Sequence, residues 1–285
     1  VMRLGEYIRS YDNGAFLTEA HFFLGNCAYD LGREAEARDA FEYVLAQPTS
    51  DYTEPAALGA ATMAWNASDL STARKHYATL EAVSVQTENI LEARIGLMRC
   101  HYLLAEPEPA KAYADQVLAD ERTPEDIRRT ALFWRGKILF DRAEWVDAYT
   151  DLSKVASFGG ARGAEAKYLM CEVAYRREKF EAAEQEIFEL VDAFTAYDKW
   201  KIQSFVLLVK VYIGLGDLFQ ARATAESIIA NVDQPEIIGE AEDLLTLITQ
   251  LEAENLTPSD TVRLTAPVPG AAEGDSLKLQ NSDQQ

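Results

Sequence analysis

Few side chains in this sequence have the types and spacing that metal binding or redox chemistry requires. The candidates are His21, His76 and His101 together with Cys27, Cys100 and Cys171. Zinc ligands recur as pairs a few residues apart, and a reactive thiol needs basic neighbours that lower its pKa. Neither pattern is present. We therefore interpret the histidines as surface or packing residues and the cysteines as small apolar residues of helices, and we predict no metal and no cofactor.

The motifs that position catalytic groups are also missing from the sequence. It has no HExxH helix, no nucleophile elbow and no phosphate-binding glycine loop, and Gly214 and Gly216 are not followed by a third glycine. Acidic pairs such as Glu184 and Glu186 are typical of a solvated helix face, because carboxylates alone do not form an acid–base pair. We predict that the protein is not an enzyme.

Composition and charge exclude two classes of partner. The 285 residues include 47 acidic and 27 basic side chains, for a formal net charge of −20. This balance argues against nucleic-acid binding, which requires a basic face that neutralises phosphates. The longest apolar run, Phe205–Val209, is far shorter than the roughly 20 residues that span a bilayer. The composition permits a protein or peptide partner with basic flanks.

The elements that must position any functional side chain follow an internal repeat. An alanine that precedes an apolar residue by four positions recurs six times, at separations of 36, 37, 38, 35 and 38 residues. We call these the anchor alanines: Ala37, Ala73, Ala110, Ala148, Ala183 and Ala221. An aromatic residue lies eight residues before each of the first five and nine before the last. Six matches in phase predict a repeat protein.

Each repeat has the pattern of two amphipathic helices. Apolar residues from Ala20 to Leu31 recur at steps of three and four, Gly32 interrupts the pattern, and it resumes from Ala37 to Leu45. Prolines such as Pro48 fall between the predicted helices, where a missing N–H costs little. No strand pattern competes. The sequence therefore predicts an all-α chain of helix pairs.

The first repeat carries Leu24 and Gly25 in its first helix and Ala37 and Phe41 in its second. These residues resemble the signature of the tetratricopeptide repeat (TPR) family, and the resemblance extends over roughly residues 15 to 233. It implies a right-handed α-α superhelix of about six helix pairs whose first helices line a concave surface. The segment from Leu4 to Gly25 also resembles repeats of bacterial cell-envelope TPR proteins, of the outer-membrane assembly lipoprotein and periplasmic cell-division coordinator types.

The chain is predicted to have four segments. Residues 1–14 would be the second helix of a truncated upstream repeat, and residues 15–233 would form six TPR-like repeats. Residues 234–256 would form a helix that caps the last apolar surface of the array. Residues 257–285 have few large apolar side chains, and we predict a disordered acidic and polar tail because they cannot bury enough surface to offset the entropy of ordering.

Two rows of large side chains recur on the predicted first helices. Members of a pair are seven residues apart, which places both on one helix face. The TPR resemblance implies that these positions often point into the concave groove, with Glu19, Asn26, Arg99, Lys137, Glu172 and Arg176 at its edges. The candidate groove residues are Phe22, Tyr29, Trp65, Tyr102, Phe133, Phe140, Tyr168, Tyr175, Phe205 and Tyr212. Alternatively, the same side chains pack helix against helix, since aromatic stripes at helical spacing are usually core.

Three functions fit this sequence. We favour a non-enzymatic scaffold that binds a peptide or a helix of a partner protein in the concave groove. The second is a bacterial envelope assembly factor that docks on an outer-membrane or periplasmic complex, which implies a periplasmic or outer-membrane location, with the cytoplasm as the alternative. The third is an enzyme with a site formed between distant repeats. Fold alone does not choose among them.

Overall fold

The computed structural model describes residues 2–254, and within that range it contains helices and no strand. The helices are α1 (Met2–Ser10), α2 (Leu17–Asp30), α3 (Glu34–Leu45), α4 (Thr53–Asn66), α5 (Leu70–Val83), α6 (Thr87–Leu103), α7 (Pro107–Ala119), α8 (Glu125–Asp141), α9 (Trp145–Ala156), α10 (Gly160–Arg176), α11 (Phe180–Ala193), α12 (Asp198–Leu215), α13 (Leu218–Asn231) and α14 (Pro235–Glu254). The predicted all-α class is confirmed. The predicted tail, residues 257–285, lies outside the described residues.

The chain divides into two compact units, residues 1–204 and residues 205–285, and the division falls within α12. In the first unit, α2 to α11 form five consecutive helix pairs in which each helix packs on its neighbour in the chain. In the second unit, α13 packs on α14. The predicted segments (an upstream helix, six repeats, a cap and a tail) remain a prediction.

The anchor alanines lie where the two helices of a pair come closest. All six are 0% exposed, which confirms that they are buried. Small residues face the same contacts from the first helices. A Cβ added to Gly25 would lie 2.7 Å from the Phe41 ring, and one added to Gly136 would lie 2.9 Å from the Leu152 side chain. The paired helices are therefore so close together that larger side chains would not fit between them.

Every turn from a first helix to a second helix contains a residue in the left-handed conformation. These residues stand five positions before the anchor alanines, with φ between 57° and 79°: Gly32, Ser68, Ala105, Ala143, Glu178 and Gly216. In the first turn, the Gly32 N–H donates to the Tyr29 carbonyl at 2.9 Å and the Arg33 N–H donates to the Ala28 carbonyl at 2.8 Å. This pair of bonds ends a helix and normally favours glycine. Four of the six positions carry a side chain nevertheless.

The first unit has an inner side formed by its first helices. Contacts join α2 to α4, α6 to α8, and α8 to α10, whereas no two second helices of this unit are joined to the same extent. Each second helix packs instead on the first helix of the next pair. First helices are therefore crowded on the inner side, and second helices are spread apart on the outer side.

We predict that Ala148→Arg will destabilise the first unit by about 3–5 kcal/mol, because the guanidinium would enter a tight contact without a counter-charge. Thermal unfolding followed by circular dichroism measures the effect. Val146→Arg is the matched control, since Val146 lies on the same helix and is 62% exposed. An Ala148→Arg variant that melted within about 2 °C of the parent would contradict the assigned repeat phase.

Two substitutions in the turns should change the stability of the protein in opposite directions. Ala143→Gly should stabilise the protein by about 0.5–1 kcal/mol because it relieves a left-handed alanine, and Gly32→Ala should destabilise it by about 1 kcal/mol. A Cβ added to Gly32 meets nothing within 4 Å, so this substitution changes backbone conformation alone. Denaturant titration of both variants tests the pair. Loss of stability in Ala143→Gly would show that the turn is not strained.

Candidate functional site

Side chains on successive first helices of the first unit contact one another in an unbroken series. We call this series the inner ladder, and it connects α2 to α4, α4 to α6, α6 to α8, α8 to α10, and α10 to the first turn of α12. Its members are Tyr29, Trp65, Asn66, Arg99, Tyr102, Trp134, Lys137, Phe140, Asp141, Glu165, Tyr168, Glu172, Arg176 and Trp200. The ladder runs along the inner side of the first unit.

Hydrogen bonds and two ion pairs form the polar contacts of the ladder, and one of these pairs, Arg176 with Glu172, lies within α10. The Asn66 amide donates to the Tyr29 hydroxyl oxygen at 3.0 Å, which joins α2 to α4. The Tyr102 hydroxyl donates to an Asp141 carboxylate oxygen at 2.7 Å, which joins α6 to α8. The ammonium of Lys137 lies 2.7 Å from a carboxylate oxygen of Glu165 on α10. These bonds fix the side-chain rotamers on both helices of each junction.

Cations stacked on aromatic rings form the other contacts. The Arg99 guanidinium carbon lies 4.0 Å from the centre of the Trp65 ring and 5.9 Å from that of Trp134. The Arg176 guanidinium carbon lies 5.1 Å from the centre of the Phe140 ring. Such contacts contribute about 0.5–1 kcal/mol each at exposed sites and more where water is excluded. Cations therefore contact aromatic rings at several points along the inner side, and other rings contact each other directly.

The ladder balances its charges locally. Its three cations, Arg99, Lys137 and Arg176, are accompanied by the carboxylates Asp141, Glu165 and Glu172. Burial raises the pKa of Asp141 above its usual range, although the Tyr102 hydrogen bond and nearby Lys137 oppose that rise. Burial, together with Asp141, also raises the pKa of Tyr102. The Tyr102 phenol consequently remains protonated at neutral pH and acts as a hydrogen-bond donor.

The ten predicted groove residues do not share one environment. Among those eight residues before an anchor alanine, Tyr29 is 39% exposed, and Trp65, Tyr102, Phe140 and Tyr175 are partly exposed. Phe22, Tyr168 and Phe205 are partly exposed as well, whereas Phe133 is 4% exposed and packs in the core with Leu132 and Met170. Tyr29, Trp65, Tyr102, Phe140 and Tyr168 belong to the ladder.

The position of Tyr212 within its repeat explains why it is buried. It stands nine residues before Ala221, whereas the partly exposed rings stand eight residues before their anchor alanines. The nine-residue position is held by Ala28 and Ala64 in the first two pairs, and both are buried. Tyr212 therefore occupies a core position of its own helix. Tyr212 and Phe205 belong to the second unit and are not part of the inner ladder.

Sequence reasoning did not select five of the ladder residues: Asn66, Trp134, Asp141, Glu165 and Trp200. Trp134 adjoins Phe133 and stands fourteen residues before its anchor alanine, a position held by Gly59 and Gly96 in two other repeats. Its edge-on contact with Tyr102, with ring centres 5.2 Å apart, depends on the neighbouring repeat. No spacing rule within one repeat would identify such a residue. The same position holds Phe23, Leu169 and Leu207 in the remaining repeats, so no repeat pattern marks Trp134.

The histidines and cysteines occupy separate structural positions. His76 is 1% exposed with its Nε2 atom 3.0 Å from Glu42, and burial lowers its pKa. Burial raises the pKa of the Cys100 thiol to about 11. Cys100 and Cys171 are buried, as a packing role requires, but Cys27 is exposed. The packing interpretation is therefore wrong for Cys27, whose side chain lies on the solvent-facing part of α2.

Two further observations concern residues 2–254. No group of three or more His, Cys, Asp and Glu side chains in this range is arranged to hold a metal ion. No helix in the same range combines the length and the apolar character needed to cross a membrane.

Comparison with known proteins places the fold. No family model matches the sequence, and no curated protein matches it. Solved structures do match. A TPR protein from Parabacteroides merdae is 15% identical with a TM-score of 0.50, over 86% of this chain and 90% of that one. PilW, a type IV pilus biogenesis factor, is 16% identical with a TM-score of 0.59, over 81% of this chain and 100% of that one.

A third structure, the assembly chaperone of RpL4 (Acl4), is 15% identical with a TM-score of 0.52, over 84% of this chain and 99% of that one. Identities this low establish a shared fold and leave activity and partners to be determined separately. The helix pairs, their buried anchor alanines and these structural matches lead to one conclusion. The chain has the fold of tetratricopeptide repeat proteins.

Proposed function

We propose that this protein is a non-enzymatic scaffold that binds a segment of a partner protein along the inner ladder. TPR-fold proteins are interaction scaffolds in general, and the observation that supports this particular site is the unbroken series of partly exposed rings and cations across successive first helices. Aromatic rings exposed side by side on successive helices are typical of interaction surfaces.

The geometry of the ladder suits recognition of an extended or helical segment. The cations are already stacked on rings, and the hydroxyl and amide groups are already hydrogen-bonded, so few rotamers need to be ordered on binding. Trp65, Tyr168 and Trp200 would provide apolar anchors, since aromatic side chains dominate the energetics of many interfaces. The carboxylates of Glu165 and Glu172 would accept hydrogen bonds from the bound segment.

The charge of the whole chain suggests basic flanks on the partner segment. Residues 257–285 hold only four acidic and two basic side chains, so most of the formal charge of −20 lies in the helical body. A negative body attracts basic segments over a Debye length of about 8–10 Å at ordinary salt concentrations. We therefore expect association to weaken as salt is added, chiefly through a slower association rate.

An envelope assembly role is the second function that we propose. It is supported by the resemblance of Leu4–Gly25 to repeats of bacterial envelope TPR proteins and by the fold shared with PilW, a pilus biogenesis factor. The scaffold proposal does not depend on it. Recovering the protein together with a periplasmic or outer-membrane complex would support this role, and recovering it only with cytoplasmic proteins would contradict it.

We predict that the double variant Trp65→Ala, Tyr168→Ala will lose partner capture while it retains its helical fold. Both rings are partly exposed, so their removal should cost less than the 3–5 kcal/mol typical of a buried large aromatic. The immobilised protein is used to capture proteins from its source cells, and the variant should recover the partner at about one tenth of the parent level or less. Circular dichroism and thermal unfolding report the fold.

The matched control removes two exposed rings that lie outside the ladder. Phe188 and Phe219 are 48% and 77% exposed, and Phe188→Ala, Phe219→Ala should leave capture unchanged. The alternative core interpretation forecasts a different result, in which Trp65→Ala, Tyr168→Ala unfolds the protein. Unfolding of that variant, or capture equal to that of the parent, would contradict the proposal.

A further inference from the structure

A cleft on the outer side of the first unit lies between the second helices α7 and α9, with α8 beneath it. It contains a cavity of about 630 Å³ and an adjoining one of about 330 Å³, and both are lined by Arg135 and Lys154. We call the two together the outer cleft. Residues of α8 from Glu125 to Leu139 line it, which corresponds to a length of about 20 Å at the helical rise per residue.

Ion pairs hold the walls of the outer cleft in place. The Arg135 Nε atom lies 2.6 Å from a carboxylate oxygen of Asp151 on α9, and its Nη1 atom lies 2.9 Å from one of Asp115 on α7. Asp151 is 3% exposed, so the Asp151 side of this fork is shielded from solvent, whereas Asp115 is partly exposed. Planar guanidinium groups bind carboxylates in such fixed geometries. The three helices are therefore tied together at the middle of the cleft, and the charge of Arg135 is neutralised.

The end of the outer cleft near the 630 Å³ cavity keeps a surplus of positive charge. Arg128 donates to the backbone carbonyl oxygens of Leu118 and Asp120 at 2.9 and 3.0 Å, and these neutral acceptors leave its charge uncompensated. Lys154 is exposed on the opposite wall. Glu125 also lines this cavity, and its carboxylate pairs with Arg129 at 3.6 Å. The lining of the 630 Å³ cavity includes three basic and two acidic side chains, a local positive charge in a chain whose formal net charge is −20, whereas the lining of the 330 Å³ cavity includes three of each.

Apolar surface lies beside these cations. The Phe158 ring is 45% exposed, and the Arg129 guanidinium carbon lies 3.6 Å from the centre of that ring. Leu118 and Leu132 line the same cavity. An aromatic ring held by a cation forms a rigid apolar wall, and rigid aromatic walls are favoured anchors for partner side chains.

We propose that the outer cleft is a second binding site, which takes a partner segment that presents apolar side chains next to carboxylates. The apolar side chains would pack on Phe158, Leu118 and Leu132, and the carboxylates would pair with Lys154 and Arg128. The preferred charge is opposite to the basic flanks expected at the inner ladder, so the two surfaces select different partners. This site does not depend on the function proposed for the inner ladder.

A synthetic peptide tests the outer cleft directly. The probe is a fluorescein-labelled peptide of about ten residues in which Asp and Glu alternate with Leu and Phe, long enough to follow the cleft in an extended conformation. Fluorescence anisotropy of the full chain should show saturable binding, and Lys154→Glu should weaken it about tenfold. Phe158→Ser should weaken it by a similar factor. Carbodiimide, which joins an ammonium to a carboxylate, should cross-link the peptide to Lys154.

Matched controls separate this site from general attraction between charges. Lys179→Glu makes the same charge change at an exposed lysine outside the cleft, and it should leave the affinity within about twofold of the parent. The Trp65→Ala, Tyr168→Ala variant should also bind the peptide normally. A second peptide replaces Leu and Phe by Ser, and a third replaces Asp and Glu by Asn and Gln. Both should bind at least about tenfold more weakly.

Several results would overturn the proposal. These are an absence of binding by the first peptide, equal binding by Lys154→Glu, equal binding of the Ser-containing peptide, and cross-links that map to the inner ladder. Lys154→Gln, which removes the charge without reversing it, should give an intermediate affinity. Melting curves of every variant, compared with that of the parent, ensure that a lost fold is not mistaken for a lost site.

Discussion

Close approach of two helices at a single alanine is the constraint on which the rest of this structure depends. At Ala148 and its five counterparts, the second helix lies so near the first that no side-chain volume remains. Leu152 then packs where Gly136 has no side chain. This contact sets the angle of each pair, and repetition of the angle brings successive first helices of the first unit side by side. The inner ladder exists because those helices are near enough to exchange hydrogen bonds and ring contacts.

The same constraint explains why the helix pairs could be predicted from sequence. A contact that excludes larger side chains requires an alanine at the same position of every repeat. Six alanines in phase therefore predict the all-α class. The left-handed turn residues show no such pattern, because no single residue type recurs at their positions. Ser68 and Glu178 adopt positive φ values because a short turn between tightly paired helices requires them, although neither residue type favours that region. Glycine marks only the first and last of these turns.

The candidate site was harder to predict, because its residues are selected by contacts between repeats. Phe133 and Tyr168 occupy equivalent places in their repeats, yet Phe133 is buried and Tyr168 is partly exposed. Contacts with side chains of neighbouring pairs decide how exposed each residue is. The Tyr102 ring, for example, is in contact with Trp134 of the next pair. Periodicity identifies the helix face on which a residue lies. It does not show how far that residue remains in contact with solvent.

Helix α8 contributes to both surfaces of the first unit. Trp134 and Lys137 belong to the inner ladder, whereas Arg128 and Arg135 line the outer cleft. A small displacement of α8 would alter contacts on both sides, because packed helices move as rigid elements. Any coupling of two ligands through it would be reciprocal, so that each would change the affinity of the other by the same factor.

The lengths of the connections between helices determine where this protein can change in evolution. In the first unit, three residues separate the helices of every pair, and the left-handed residue and its two hydrogen bonds occupy that space completely. The connections from one pair to the next vary from three residues to seven, the longest being residues 46–52. Insertions and deletions should therefore accumulate between pairs and be eliminated within them. New loops, and the specificities they carry, can arise only at the junctions between pairs.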